Sequence, residues 1–148
     1  MRKLTHTLFL VTLLSSVNAY AGTANINLQC QAKTTGQSPL LLEAQLPGDY
    51  DEFELQLKQA DRRLNWSMDE SELKIEVAMR KKKFSFEILH KNGEQIALRA
   101  LPASLKSKGN NSRLFEASFE AEFSYKAPKK DTPWPVSGVM TCKAKHQI

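Results

Sequence analysis

The sequence predicts an all-β protein: an antiparallel sandwich of about nine strands, with a closed up-and-down β-barrel as the alternative architecture. Apolar residues recur at every second position from Asn25 almost to the C-terminus, which is the pattern of strands with one buried face. Two cysteines, Cys30 and Cys142, stand near the two ends of this region. We therefore expect a single β domain of residues 22–148 whose first and last strands are joined by one disulfide.

Nine alternating runs define the predicted strands, and polar or Gly/Pro-containing turns separate them. The eighth run is the longest. It places Phe115, Ala117 and Phe119 on one face and Glu116 and Ser118 on the other, so that large and small side chains alternate on the inner face. The runs cover residues 26–32, 40–46, 53–57, 64–68, 73–79, 84–88, 96–100, 115–125 and 136–142.

One hairpin fixes a register. A two-residue Asn92-Gly93 turn would place apolar residues of one strand opposite outward-facing residues of the next. A three-residue loop, Lys91-Asn92-Gly93 with Gly93 in the left-handed conformation, instead sets Ile88 opposite Ile96 and Phe86 opposite Leu98. We expect this loop.

The strand count also predicts directions. If every turn reverses the chain, nine strands put the first and the last in the same direction, with Cys30 and Cys142 at the same end of the molecule. A barrel would then close through a parallel pair of strands. Odd-numbered connections would share one end of the molecule and even-numbered connections the other.

The N-terminus predicts export. Arg2 and Lys3 precede an apolar stretch over residues 8–14, and small residues follow up to Ala21, which is the layout of a cleaved secretory signal. We expect residues 1–21 to be removed and the mature domain to be periplasmic or secreted, where a disulfide persists.

The odd-numbered connections are strongly basic. After removal of Arg2 and Lys3 the chain keeps 19 basic residues against 16 acidic ones, so any preference for anions must come from a local patch. We expect this basic pole to dock an anionic envelope component, such as a polymer or a lipid head group, or an acidic protein. Its residues are Arg62, Arg63, Arg80, Lys81, Lys82, Lys83, Lys106, Lys108 and Arg113, with Lys143 and Lys145 of the last strand near the same end.

Nucleic acid is a disfavoured partner, because single-strand binding usually interleaves exposed aromatic rings with basic groups. Most rings of this chain fall on inward-facing positions. Trp134 lies between Pro133 and Pro135, so it sits on a stiff loop and is the candidate for an exposed contact residue.

Two other functions are alternatives. A carrier would use the inner face as a cavity for a small apolar ligand, lined by Trp66, Phe86, Phe119 and Phe123. A hydrolase would need carboxylates from separate strands, or the pair of His90 and Glu94 that face each other across the predicted hairpin. The sequence shows no nucleophile motif, metal motif or cofactor motif, which favours a non-enzymatic binding module.

Overall fold

The computed structural model describes residues 25–32, 38–48, 52–111, 114–128 and 137–146. Within these ranges the chain forms strands linked by short turns, three of which are 3₁₀ turns. The strands are β1 Ile26–Ala32, β2 Leu40–Leu46, β3 Glu54–Gln59, β4 Arg62–Ser67, β5 Ser71–Ala78, β6 Lys83–His90, β7 Gln95–Ala100, β8 Lys106–Asn111, β9 Leu114–Lys126 and β10 Ser137–His146. The 3₁₀ turns are η1 Met68–Glu70, η2 Met79–Lys81 and η3 Pro102–Ser104.

All described strands belong to one antiparallel sheet. Its order is β4-β3-β2-β1-β10-β9-β7-β6-β5, and β8 pairs with the part of β9 that β7 leaves free. The sheet curls until it is nearly closed like a barrel. The predicted all-β antiparallel fold, with first and last strands joined by a disulfide, is confirmed.

The predicted alternation builds the core. On β9, Phe115, Phe119 and Phe123 are buried to 3% exposure or less while Glu116 and Ser118 are exposed. Inward residues of the other strands join them in one continuous apolar cluster. Because burial of a large apolar side chain contributes roughly 1.5 to 3 kcal/mol, this inner face is the main source of stability.

The expectation that every predicted connection reverses the chain is wrong at one place, the connection between β4 and β5. Every ladder is antiparallel, so β4 and β5 at the two ends of the nine-strand path run in the same direction, and η1 carries the chain between them without reversal. The predicted reversal between the seventh and eighth runs is confirmed, since β7 pairs antiparallel with β9. An additional strand, β8, lies in the segment predicted to be this turn: η3 carries the chain straight on from β7 into β8, which also pairs antiparallel with β9.

The passage at η1 changes how the sheet closes. Strand β1 pairs antiparallel with β10, whereas a reversal at every turn predicts parallel first and last strands. Cys30 lies directly opposite Cys142 in this ladder, with a Cα–Cα distance of 4.1 Å. The disulfide therefore links two adjacent strands in mid-ladder.

The predicted hairpin between β6 and β7 is confirmed. Ile88 pairs with Ile96 and Phe86 with Leu98. Gly93 has φ 91°, and its N–H donates to the carbonyl of His90 at 2.9 Å. The left-handed conformation explains why glycine stands there.

The predicted secretory signal over residues 1–21 lies outside the described residues and stays a prediction. The described residues contain no helix that is long and apolar enough to span a membrane.

Removal of the disulfide should strongly destabilise the fold. The bond closes a loop with a sequence separation of 112, and loop closure of that length contributes about 4 to 5 kcal/mol through the unfolded state. We expect Cys30→Ala/Cys142→Ala to lower the free energy of unfolding in urea by about 4 kcal/mol. A loss below about 1 kcal/mol would show that the β1–β10 pairing does not depend on this bond.

Candidate anion-binding groove

The structure brings together six of the nine predicted basic-pole residues. Arg80 and Lys81 lie in η2, and Lys82 and Lys83 follow directly. This turn contacts β8, whose first three residues include Lys106 and Lys108. All six side chains are exposed, so they form one basic surface at the end of the sheet where β5 ends and β8 runs.

Two predicted residues do not join this surface. Arg62 and Arg63 begin β4 and are separated from η2 by the whole of β4, η1 and β5, which run in one direction. The predicted basic pole is therefore divided into two separate groups of residues. The cause is η1, which carries the chain from β4 into β5 without reversing it. Arg113 and the predicted contact residue Trp134 lie outside the described residues.

A groove extends the basic surface along the outer wall of the sheet. It has a volume of about 780 Å³ and crosses β8, β9, β10 and β1. Lys143 and Lys145 line it together with Lys106 and Lys108. The alternation with buried Cys142 and Ala144 predicts that Lys143 and Lys145 point outward. Only the strand register shows which residues of β9 lie beside these two lysines.

The register arranges the groove in two rows that run across the strands. In the first row Ser118 of β9 lies between Lys106 of β8 and Lys143 of β10. The row continues to Gln29 of β1, which pairs with Lys143. In an antiparallel sheet, residues directly opposite each other share a face, so these side chains all point outward.

The second row contains an acid. Glu116 lies between Lys108 and Lys145, and Lys145 Nζ is 3.2 Å from Glu116 Oε1. The positive charge of the two lysines in this row is therefore partly compensated by Glu116. The row of Lys106, Ser118 and Lys143 holds no carboxylate, and in the described structure these two lysines form no ion pair.

The first row has the dimensions of a seat for one anionic group. Neighbouring strands lie about 4.8 Å apart, so the Cα atoms of Lys106 and Lys143 are about 10 Å apart, with Ser118 midway. Over that span the two lysine side chains can reach toward each other, and the serine hydroxyl supplies a hydrogen-bond donor between them. We call this row the lysine seat.

Glycine shapes the edge of the groove. Gly109 has φ 84°, and a Cβ atom there would lie 2.7 Å from the carbonyl oxygen of Leu114. The β8–β9 ladder shifts register between Lys108 and Asn111. A side chain at this position would push β8 away from β9, so the glycine keeps Lys106 and Lys108 beside β9.

Another groove, of about 550 Å³, lies on the outer wall of β1 to β4. Its outward side chains are amides and acids, including Glu43 and Glu54, and Gln56 Nε2 donates to Asn65 Oδ1 at 2.8 Å. Without a lysine or arginine in its lining, this groove does not favour anions.

His90 has a different partner from the one predicted for it. Its backbone N–H donates to the Glu94 carbonyl at 2.8 Å, but its ring stacks on Trp66 with centroids 5.3 Å apart. Its Nε2 lies 3.3 Å from Glu70 Oε2. Glu94 instead accepts hydrogen bonds from Asn92 and from the hydroxyl of Tyr125.

Glu70 links η1 to the hairpin between β6 and β7. His90 and then Lys91, whose Nζ is 3.3 Å away, bond to its carboxylate and lower its pKa below the ordinary value. Because Glu70 lies in η1 and its partners end β6, these contacts fix η1, the passage from one edge strand to the other, against the β6–β7 hairpin.

The rings proposed for a carrier cavity lie in the core. Trp66, Phe86, Phe119 and Phe123 are exposed by 3% or less and belong to the continuous apolar cluster. Phe119 packs on Phe84 with centroids 4.9 Å apart. This is the packing expected of a filled interior.

Across the described ranges, no group of three or more His, Cys, Asp or Glu side chains is arranged to hold a metal ion. Comparison of the chain with protein-family models, with curated proteins and with solved structures finds no match. Function is therefore inferred from the chain's own side chains.

The Glu70 contacts predict a specific pH dependence. The lowered pKa means that the folded state favours the carboxylate, so its contribution is present above the ordinary glutamate pKa, about 4.3, and is lost as the pH falls through the lowered pKa. We expect Glu70→Gln to unfold at a lower temperature than the wild type at neutral pH, and this difference to vanish in acid.

The measurement is thermal unfolding followed by circular dichroism over a pH series. Glu72→Gln, the same change at an exposed position two residues further on, is the control and should show a smaller difference. If the difference in unfolding temperature between Glu70→Gln and the wild type stays constant at all pH values, the role assigned to this carboxylate is contradicted.

Proposed function

We propose that this protein is an exported, non-enzymatic binding module that docks an anionic polymer of the cell envelope through the lysine seat and the adjoining basic surface of η2. The observation that carries the proposal is the row of Lys106, Ser118 and Lys143, in which two lysines flank a hydroxyl and no carboxylate neutralises them. Export is supported by the predicted leader and by the disulfide.

The direction of the basic track favours an extended chain. From η2 the cationic side chains continue over Lys106 on β8 to Lys143 on β10, across the strands. Along β9 the outer face instead turns acidic at Glu120 and Glu122, both exposed. A polymer with spaced anionic groups can follow the track and avoid these acids.

A broad acidic protein surface fits this arrangement less well. Such a partner would cover the whole outer face and meet Glu120 and Glu122, and like charges opposed across an interface are costly. Nucleic acid also fits poorly, because the described lining of the groove contains no aromatic side chain on which bases could stack.

A binding measurement with inorganic polyphosphate as the probe tests the proposal. We expect Lys106→Glu/Lys143→Glu to weaken polyphosphate binding by about tenfold or more, a loss of at least about 1.4 kcal/mol. The slope of affinity against salt concentration should also fall, because fewer counterions are released.

The matched control is Arg62→Glu/Arg63→Glu, which makes the same change in net charge at the far end of β4. We expect this variant to bind polyphosphate nearly as well as the wild type. Equal losses in both double variants would show that net charge alone drives binding and would contradict the lysine seat.

A substitution inside the seat gives a second test. Ser118→Asp places a carboxylate between Lys106 and Lys143, where it can form an internal ion pair on an exposed strand position. We expect polyphosphate binding to weaken by about tenfold while the unfolding temperature is retained or rises. Binding equal to wild type would rule out the seat.

Vesicles of phosphatidylglycerol separate the polymer from a lipid head group. If the partner is a polymer, soluble polyphosphate binds and these vesicles do not sediment the protein. Sedimentation with vesicles that is abolished by Lys106→Glu/Lys143→Glu would show that the lysine seat binds a lipid head group and would overturn the proposal.

A further inference from the structure

Strand β5 forms one edge of the sheet. Among the described residues it pairs with β6 on one side, over the full length from Ser71 to Ala78, and no strand pairs with its other side. An edge of this kind presents a row of backbone donors and acceptors that can accept a further strand.

The inner face of β5 is also less covered than that of its neighbours. Leu73, Ile75 and Val77 are only half-buried, whereas Phe86 and Ile88, which pair with Ile75 and Leu73 on β6, are exposed by 3% or less. No inward-pointing charge interrupts this apolar row. Proteins commonly use such charges to block edge-to-edge pairing.

We propose that β5 pairs antiparallel with β5 of a second copy of this chain, about a two-fold axis at Ile75. In this register Leu73 of each copy lies opposite Val77 of the other, so the half-buried apolar rows meet. On the outer face Lys74 lies opposite Glu76, and the two-fold symmetry creates this pair twice. Side chains directly opposite each other contribute most to cross-strand stability.

The neighbouring symmetric registers are disfavoured by charge. An axis at Lys74 sets Lys74 opposite itself and Glu72 opposite Glu76. An axis at Glu76 sets Glu76 opposite itself. An axis between two residues would place an inward residue opposite an outward one. An axis at Leu73 also sets Glu72 opposite Lys74, but it places Ser71 opposite Ile75 and leaves Val77 without a partner on β5. Ile75 is therefore the centre that combines complementary charges with the full apolar row.

Glu76 can take part in the pairing with Lys74 of a second copy. Its present partner is Lys83, whose Nζ lies 3.2 Å from Glu76 Oε1, and the two side chains are 54% and 60% exposed. Exposed ion pairs of this kind contribute little, so Glu76 can also face Lys74 of a second copy. Strands β6 and β7 separate β5 from β9, so the pairing leaves the lysine seat open.

Charge exchange at the two positions tests this pairing. Sedimentation equilibrium of the oxidised chain should show a dimer whose dissociation constant rises by about tenfold or more in Lys74→Glu and in Glu76→Lys, because each variant opposes like charges twice. The double variant Lys74→Glu/Glu76→Lys should restore the wild-type value. Glu122→Lys, a charge change on the outer face of β9, is the control and should leave the dimer intact.

A mixture of the two single variants gives the sharpest test. One copy then carries two acids at positions 74 and 76, and the other carries two lysines there. We therefore expect the mixture to form a heterodimer that is more stable than the homodimer of either variant. A wild type that stays monomeric at all concentrations would overturn the proposal. A dimer that both single variants leave unchanged would also overturn it, since the contact would then lie on another face.

Discussion

The antiparallel pairing of β1 with β10 is the contact on which the rest of the structure depends. It joins the two halves of the chain, β1 to β4 and β5 to β10, into one sheet, and the Cys30–Cys142 bond fixes its register. On its other side β10 pairs with β9, and this second ladder places Lys143 opposite Ser118. The closure of the fold and the candidate site therefore share strand β10.

Much of the fold follows from the two-residue alternation. The hairpin between β6 and β7 was predicted to the residue, because only one loop length keeps Ile88 and Ile96 on the same face. Strand β8 could not be predicted in this way, since its sequence, Lys-Ser-Lys-Gly-Asn-Asn, contains no apolar residue. It forms because β9 offers it a free edge and Gly109 allows β8 to lie close to Leu114 of β9. Its pairing energy comes from the backbone, which leaves no sequence signal.

The strand directions failed for a related reason. The residues of η1 resemble a reversing turn, yet η1 carries the chain onward from β4 into β5. In the same way η3 carries it onward from β7 into β8, the strand that was not predicted. At η3 the hydroxyl of Ser104 accepts a hydrogen bond from the N–H of Glu120 at 2.9 Å, and the Leu101 N–H donates to the Glu120 carbonyl at 2.8 Å. These hydrogen bonds attach η3 to β9. The alternation therefore identified the basic residues of the candidate site, but it grouped Arg62 and Arg63 with η2, from which β4, η1 and β5 separate them. It gave no signal for Ser118.

The proposal that the lysine seat binds an anionic polymer is tested most directly by residue-level mapping of polyphosphate binding, using ¹⁵N–¹H chemical shifts of the oxidised protein. The account predicts that the shifts change on β8, around Ser118 of β9 and around Lys143 of β10, with the basic surface of η2 affected next. Changes centred on Arg62 and Arg63, or spread evenly over all exposed lysines, would contradict it.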